Sequence, residues 1–384
     1  KYGIITGSKK RGVIAVEDAA YMKRALELAV RGSGRTSPNP LVGAVIVKNG
    51  RIIGEGWHER AGEPHAEINA IMNSRESVEG ATIYVNLEPC SHFGKTPPCA
   101  EELLKRKFKR VVTAMEDPNP LVAGRGIKLL RERGVQVDVG VNRIEALKLN
   151  DIFIKHITAN TPFVLLKTAM TLDGKTASRT GDSKWISGEL SRAYVHNLRN
   201  RYSSILVGVN TVIRDDPELT SRIEGVQTRN PLRIIMDSGG RIPIDANVLN
   251  IDESRRTIIA TTEDMTGEKR RQLKSKGVEI ITTDKKNGRV DIKQLIKELG
   301  RNGMDSLMIE GGGTVAAAFM EEGLIDKVAF FIAPVLIGGE TAPTPVMGEG
   351  VSLIEKGYKL KHRSISVFGQ DVLIEGYINV PWER

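Results

Sequence analysis

Two cysteines in a chain of 384 residues constrain it more than any other feature. Cys90 and Cys99 are too few and too close together to staple a chain of this length, so the fold must rest on buried apolar cores. Both follow His65-Ala66-Glu67, and Cys90 is preceded directly by Glu88-Pro89. One imidazole and two thiolates form a borderline-soft donor set that suits Zn²⁺. Three protein ligands leave the fourth tetrahedral position to water, which marks a catalytic metal rather than a closed structural one.

Zinc lowers the pKa of bound water to about 7 and so supplies hydroxide at neutral pH. Glu67, two residues past His65, can face that water without ligating the metal and shuttle its proton to a leaving amine. This is the chemistry of zinc-dependent hydrolytic deamination of a nucleobase-like amine. Taken singly, a His-Ala-Glu triplet arises by chance and a lone cysteine is usually a small core hydrophobe. Together they use both thiols of the chain. His58, His156, His196 and His362 have no ligand-like spacing and read as surface or satisfied core residues.

The length exceeds the ~100–200 residues of one domain, so two are expected. A net charge of +9 is mild for this size, and the basic residues are scattered, with short runs only at Lys9-Lys10-Arg11, Lys269-Arg270-Arg271 and Lys285-Lys286. Such charge suits phosphorylated small molecules, and it does not draw a nucleic-acid stripe. No apolar run reaches the ~18 residues of a membrane span. Lys1 to Val16 has neither an apolar core nor a small-residue cleavage site and reads as an irregular extension rather than a secretory signal. The cytoplasm is the expected compartment.

Strands and helices alternate in the first part. Ala19 to Arg31 has helical periodicity after a possible Asp18 cap. Leu41 to Val47 and Arg51 to Trp57 read as a hairpin about Asn49-Gly50. Further helices are expected from His65 to Asn73, from Ala100 and from Gly126 to Arg133, with strands at Ala81 to Leu87, Arg110 to Met115 and Val135 to Val139. Asn142 to Ile157 reads as one helix, and Thr158 to Pro162 breaks it. The expected domains are therefore 17–160 and 161–384, after the extension 1–16. The second should be α/β with a mixed sheet, from strands at Phe163 to Thr168, Ser204 to Val209, Leu232 to Asp237, Thr257 to Thr261, Val278 to Ile281, Ser306 to Ile309 and Val328 to Ile332. Tyr358 to Asn379 alternates like an antiparallel hairpin. Ile309 to Thr314 carries a glycine run between strand and helix, which lets backbone approach an anion closely, although it is not the G-x-G-x-x-G of a Rossmann site.

The metal motif resembles the cytidine-deaminase-like superfamily, with eight residues between the thiols in place of the common two. That insert, Cys90-Ser91-His92-Phe93-Gly94-Lys95-Thr96-Pro97-Pro98-Cys99, together with Ser37 to Val45 and Asp117-Pro118-Asn119-Pro120, is similar to the bifunctional riboflavin-biosynthesis deaminase-reductases. Lys167 to Lys175, Gly181 to Ser187, Val207 to Val212 and Asp215 to Arg222 resemble the reductase half of that family. The resemblance implies a three-layer α/β/α deaminase domain and a dihydrofolate-reductase-like α/β domain. It implies Zn²⁺ on His65, Cys90 and Cys99, with Glu67 moving protons, and NADPH as the second cofactor.

For the substrate of the first site it implies Asn39, with His92, Lys95 and Thr96 near an anionic ribose phosphate. In the reductase it places Ala169, Trp185, Thr211, Asp215, Ser238, Gly312, Gly313 and Thr314 at the cofactor, and Ser183, Arg199, Leu219, Arg222 and Glu310 at the substrate. Arg199 and Arg222 could clamp a phosphate bidentately, and Lys167 could protonate or hydrogen-bond the sugar oxygen. The expected partner is a small phosphorylated pyrimidine, not nucleic acid or membrane, and the expected assembly is a homo-oligomer. Two other readings remain open at this point: a nucleotide or tRNA deaminase fused to an unrelated nucleotide-binding domain, and a structural zinc beside a binding domain.

Overall fold

The computed structural model describes residues 7–91, 98–120, 122–225 and 228–383, with backbone alone for 7–15. Its contacts divide it into two units, Lys1–Thr158 and Ala159–Arg384. Among the described residues no helix is long and apolar enough to cross a membrane.

The first unit runs α1 (Gly7–Val30), β1 (Gly43–Lys48), β2 (Arg51–Trp57), α2 (Ala66–Met72), β3 (Thr82–Val85), α3 (Cys99–Lys105), β4 (Arg110–Thr113), α4 (Arg125–Glu132), β5 (Gln136–Val139), α5 (Arg143–Leu149) and α6 (Asp151–Ala159). Its sheet has the order β2-β1-β3-β4-β5, with β1 antiparallel to both neighbours and the other pairs parallel. Glycines decide which helix covers which face. A Cβ on Gly43 would lie 2.1 Å from Ala25 O of α1, whereas one on Gly56 would lie 2.3 Å from Ala70 N of α2. Gly43 and Ala44 are successive residues of β1, and Ala44 pairs with Gly56. Side chains alternate across a strand, so α1 and α2 lie on opposite faces. The result is a three-layer α/β/α sandwich, as the resemblance implies.

Two local expectations change. Asp18 is not a cap, because α1 already begins at Gly7; Gly12 alone costs a helix only about 1 kcal/mol. The Asp18 carboxylate instead faces the sheet and accepts from Tyr84 Oη at 2.7 Å and from both terminal nitrogens of Arg110 at 2.8 and 2.7 Å. The helix expected over 142–157 divides at Asn150. There the side-chain amide turns to the Leu41 backbone, accepting from its N–H at 2.8 Å and donating to its carbonyl at 3.0 Å.

The second unit contains β6 (Phe163–Thr171), α7 (Glu189–Arg201), β7 (Ser204–Gly208), α8 (Val209–Asp215), β8 (Leu232–Met236), β9 (Thr257–Thr261), α9 (Gly267–Ser275), β10 (Glu279–Thr282), the short pair β11 (Lys285–Lys286) and β12 (Arg289–Val290), α10 (Ile292–Arg301), β13 (Ser306–Ile309), α11 (Gly313–Glu321), β14 (Lys327–Ala333), β15 (Lys361–Phe368) and β16 (Asp371–Tyr377). Nine strands form one sheet, β10-β9-β8-β7-β13-β6-β14-β16-β15. It is parallel from β10 to β14 and antiparallel over the last two pairs. Val164, Leu166, Leu206, Ile234, Leu307 and Ile309 join Leu295, Ile296, Leu299 and Phe319 of α10 and α11 in one buried core. From β7 the chain moves outward to β10, then returns to insert β13 beside β6. Strand order therefore reverses at β7 and β13, the place where open α/β sheets bind ligands beyond the strand ends.

Candidate active sites

In the first unit two helix starts and one loop converge. His65 directly precedes α2, Cys99 is the first residue of α3, and Cys90 lies in the loop after β3. His65 Nδ1 is 3.6 Å from Cys90 Sγ and 3.3 Å from Cys99 Sγ, and all three ligand atoms lie within 4.8 Å of one another. A tetrahedral zinc with ordinary Zn–N and Zn–S bonds sets a nitrogen–sulfur separation of about 3.6 Å, so the donors fit the ion in type and spacing. The Cys99 N–H donates to Cys90 Sγ at 3.3 Å. The Cys90 thiol is lowered well into the thiolate range, first by its hydrogen bond with the Cys99 side chain and also by His65.

Glu67 sits in the first turn of α2 and is 3% exposed. Burial, and then the charge of Cys90, push its carboxyl up to about 7. Proton uptake and release near neutrality suit a general acid–base.

Asn39 stands on a pinned backbone. Asn86 and Asn150 both grip the Leu41 carbonyl, at 2.9 and 3.0 Å, and Asn86 Oδ1 accepts from Gly43 N–H at 2.8 Å. The Asn39 side-chain nitrogen meets His58 Nε2 at 3.2 Å, and His58 Nδ1 meets Pro64 O at 3.1 Å. With Nδ1–H given to that carbonyl, Nε2 must accept, which orients the Asn39 amide. His58 is thus a core histidine, as its spacing suggested, but one edge-on to His65 with ring centroids 5.5 Å apart. Asn39 and His58 are 19 positions apart, and no spacing rule joins them, so the sequence offers no signal for their contact.

Glu88 stands two residues before the ligand Cys90, and its spacing alone gives it no role. It is 3% exposed and accepts backbone N–H bonds from Asp117, Gly124, Gly126 and Ile127 at 2.8–3.2 Å. One carboxylate thereby ties the Asp117-Pro118-Asn119-Pro120 loop and the start of α4 to the cysteine loop. His92, Lys95 and Thr96 lie outside the described residues.

In the second unit Leu166 pairs with Ile309, so the next residues, Lys167 and Glu310, emerge side by side from β6 and β13. Lys167 Nζ donates to Glu310 Oε1 at 3.0 Å, and Arg199 from the last turn of α7 donates to both Glu310 oxygens at 2.9 and 3.0 Å. Burial raises the Glu310 carboxyl, but Arg199 and Lys167 outweigh it and bring the pKa down to about 2. Arg199 also donates to Thr220 O at 3.1 Å. The phosphate clamp expected of Arg199 and Arg222 is therefore not formed, because the Arg199 fork is taken by Glu310. Arg222, exposed, bonds Glu218 and, at 3.0 Å, Thr220 Oγ1. Its backbone N–H donates to His196 Nδ1 at 3.1 Å, so His196 props this loop. Leu219 beside it is 3% exposed.

The glycine turn forms a cradle. Gly311 and Gly312 have φ of 129° and 85°, a backbone that side chains avoid. A Cβ on Gly311 would lie 3.3 Å from Thr211 Oγ1, and one on Gly313 would lie 2.4 Å from Thr344 O. Thr314 follows in α11, Asp215 ends α8, Ala169 lies on β6 two residues past Lys167, and Ser238 follows β8. Ala169 and Ser238 stand at or just past the C-terminal ends of the parallel strands β6 and β8, the glycine turn and α8 follow β13 and β7 between them, and the open backbone of the turn fits a dinucleotide phosphate at the start of α11. Trp185 is 71% exposed with Arg192 stacked 4.7 Å above its ring, and Ser183 precedes it in the same irregular segment.

Residues 162–374 match the family described as the RibD C-terminal domain, and 15–115 match the cytidine and deoxycytidylate deaminase zinc-binding region. The first match removes the alternative of an unrelated second domain. The chain is 45% identical to the riboflavin biosynthesis protein RibD of Actinobacillus pleuropneumoniae, over 95% of this chain and 96% of the relative. Among solved structures it is similar to RibD of Acinetobacter baumannii, with 37% identity, a TM-score of 0.83 and coverage of 94% and 99% of the two chains. It is similar also to a diaminohydroxyphosphoribosylaminopyrimidine deaminase/5-amino-6-(5-phosphoribosylamino)uracil reductase of Thermotoga maritima, with 38% identity, a TM-score of 0.82 and coverage of 95% and 99%.

Proposed function

This chain belongs to the family of the riboflavin biosynthesis protein RibD, and from that premise we propose that it performs two successive steps on one phosphorylated pyrimidine. We assign residues 17–160 to the deaminase domain and 161–384 to the reductase domain; of the preceding extension 1–16, residues 7–16 are not irregular but form the first turns of α1. The first removes by hydrolysis the 2-amino group of 2,5-diamino-6-ribosylamino-4(3H)-pyrimidinone 5′-phosphate. The second reduces the ribose of that product to a ribityl chain with NADPH.

His65, Cys90 and Cys99 hold the zinc, which when bound supplies a Lewis acid that makes water nucleophilic at neutral pH. Glu67 takes up the proton released there and delivers it to the departing amine. Asn39, oriented by His58, holds the edge of the pyrimidine, and His92, Lys95 and Thr96 are assigned to the ribose phosphate. In the reductase, NADPH supplies the hydride when bound. Ala169, Trp185, Thr211, Asp215, Ser238 and the turn Gly312, Gly313 and Thr314 are assigned to it. Ser183, Leu219 and Arg222 are assigned to the substrate, with Arg199 and Glu310 holding Lys167 so that its ammonium donates to the sugar oxygen.

The convergence of one imidazole and two sulfurs within 4.8 Å, next to a buried glutamate, carries the reading. The ligand thiols must stay reduced, which fits the cytoplasm. The edge strand β15 exposes Ile365 and Val367 at 68% and 70%, which fits a homo-oligomer. The test incubates the purified protein with the diaminopyrimidine ribotide, with and without NADPH. Ammonia should appear in both samples, and loss of nicotinamide absorbance should require prior deamination. Absence of ammonia release from zinc-loaded protein would overturn the first assignment, and absence of NADPH oxidation on the deaminated ribotide the second.

A further inference from the structure

β6 ends at Thr171, and Leu172-Asp173-Gly174-Lys175 turn the chain back at once. Thr171 N–H donates to Lys175 O at 2.9 Å, and Gly174 has a φ of 75°. Asp173 is exposed on this turn. Its Oδ1 accepts from Thr171 Oγ1 at 2.6 Å and from Ile337 N–H at 3.3 Å, and its Oδ2 accepts from Gly338 N–H at 2.7 Å. The Thr171 hydroxyl first, and the Gly338 N–H next, hold its carboxyl below the usual carboxylate range, so it is ionised at neutral pH.

Ile337 and Gly338 belong to residues 334–353, which leave β14 as neither helix nor strand. Such a segment has no ladder of its own, so its anchors must offset the entropy of ordering it. Leu172 N–H donates to Val335 O at 2.9 Å, and Thr176 N–H donates to Pro343 O at 2.9 Å. Between these neutral anchors stand the two N–H bonds to Asp173, which are charge-assisted and stronger.

Further along, the same segment reaches the glycine turn. Met347 N–H donates to Gly313 O at 3.1 Å, and Thr344 O and Met347 Cγ fill the space that a Cβ on Gly313 would need. Gly348 then packs on α11, where a Cβ on it would lie 2.9 Å from Ala317 Cβ. β14 and β13 flank β6. The segment is therefore a strap that crosses two strand spacings of about 4.8 Å each, from the end of β14 to the start of α11, with Asp173 beneath it on the way.

We infer that Asp173 is a positioning residue of the reductase, whose carboxylate fixes the strap so that Thr344 and Met347 brace the glycine turn for the dinucleotide. The inference rests on the reductase reading above. Asp173 acts through the strap and not on the reacting atoms. A loosened strap leaves the turn competent for only a fraction of the time, and the apparent affinity for NADPH falls by that fraction. The hydride step in the loaded enzyme is untouched.

The test uses the full-length, zinc-loaded chain as wild type, Asp173→Asn and Asp173→Ala. NADPH oxidation on supplied deaminated ribotide is followed with each reactant varied in turn. A glutamate-specific protease reports release of the strap by cleavage after the exposed Glu340. Asp173→Ala should raise the KM for NADPH about tenfold, with kcat and the KM for the ribotide changed less than about twofold. It should also be cut after Glu340 about tenfold faster. Asp173→Asn, which keeps one acceptor oxygen, should fall between in both readouts. The retained kcat shows that the variants are folded. Unchanged cleavage overturns the pinning, and faster cleavage with an unchanged KM for NADPH overturns the link to the turn. A fall in kcat with both KM values raised marks a general structural role and also overturns the inference. A wild type that oxidises no NADPH overturns the reductase reading and this inference with it.

Discussion

Replacing Glu310 by glutamine removes the one carboxylate shared by Lys167 and Arg199. Its side chain is 13% exposed, and those of Lys167 and Arg199 are 11% and 14% exposed, so solvent screens the trio little. Burial alone would raise the Glu310 carboxyl, yet Arg199 and Lys167 lower it from 4.5 to about 2. At 1.36 kcal/mol per unit, that difference corresponds to about 3 kcal/mol of folding free energy. The folded pKa is the depressed one, so this stabilisation is complete above about pH 5 and is lost as pH falls toward 2. Glu310→Gln should therefore unfold about 3 kcal/mol more easily at pH 7 and show a flatter acid branch than the wild type. Two domains forbid a single two-state fit. The second unit is followed by its own indoles, Trp185 and Trp382, during urea unfolding in a Trp57→Phe background. Equal urea midpoints at pH 7, or parallel losses of stability between pH 5 and 3, would refute the reasoning.

Three further outcomes are expected. Glu67→Gln should lower ammonia release by about 100-fold or more while metal analysis still finds zinc, and NADPH oxidation on supplied deaminated substrate should be unchanged. Cys99→Ser should lose zinc and deamination together and leave the NADPH-dependent step intact; zinc retained at wild-type stoichiometry would count against the ligand set. Gly313→Ala must displace both Thr344 O and the Met347 side chain, 2.4 and 2.7 Å from the new Cβ. NADPH affinity, read by fluorescence titration, should fall by about tenfold or more, with deamination unaffected.

Short-range patterns were legible in the chain itself. The Asn49-Gly50 hairpin, the strand Arg51–Trp57 and the strands Thr257–Thr261 and Ser306–Ile309 stand where alternation and turn chemistry put them. The His65, Cys90 and Cys99 set could be read because residue type and spacing alone restrict metal ligation. What escaped depends on partners distant in sequence. Asn150 interrupts a helical pattern because its amide serves Leu41, 109 positions away. Asp18 looked like a cap because its partners, Tyr84 and Arg110, are strands away. Nothing local in the sequence reveals that Glu310, 111 positions away, fills the Arg199 fork. Glu88 and His58 act on backbone and on a side-chain amide, contacts that leave no periodicity behind.

The position of β6 in its sheet also bears on how the chain is made. It opens the second unit, yet its two neighbours, β13 and β14, are the ones synthesised late; Lys167 and Glu310 are 143 positions apart. At ordinary translation speeds a nascent chain waits roughly 7–30 s between those two residues. Throughout that interval Phe163-Val164-Leu165-Leu166 has neither flanking strand to pair with, so chains stalled before residue 306 should be the ones that chaperones retain or that aggregate. Lys167 emerges early from the ribosome and becomes useful only when the last parallel strands have closed around it.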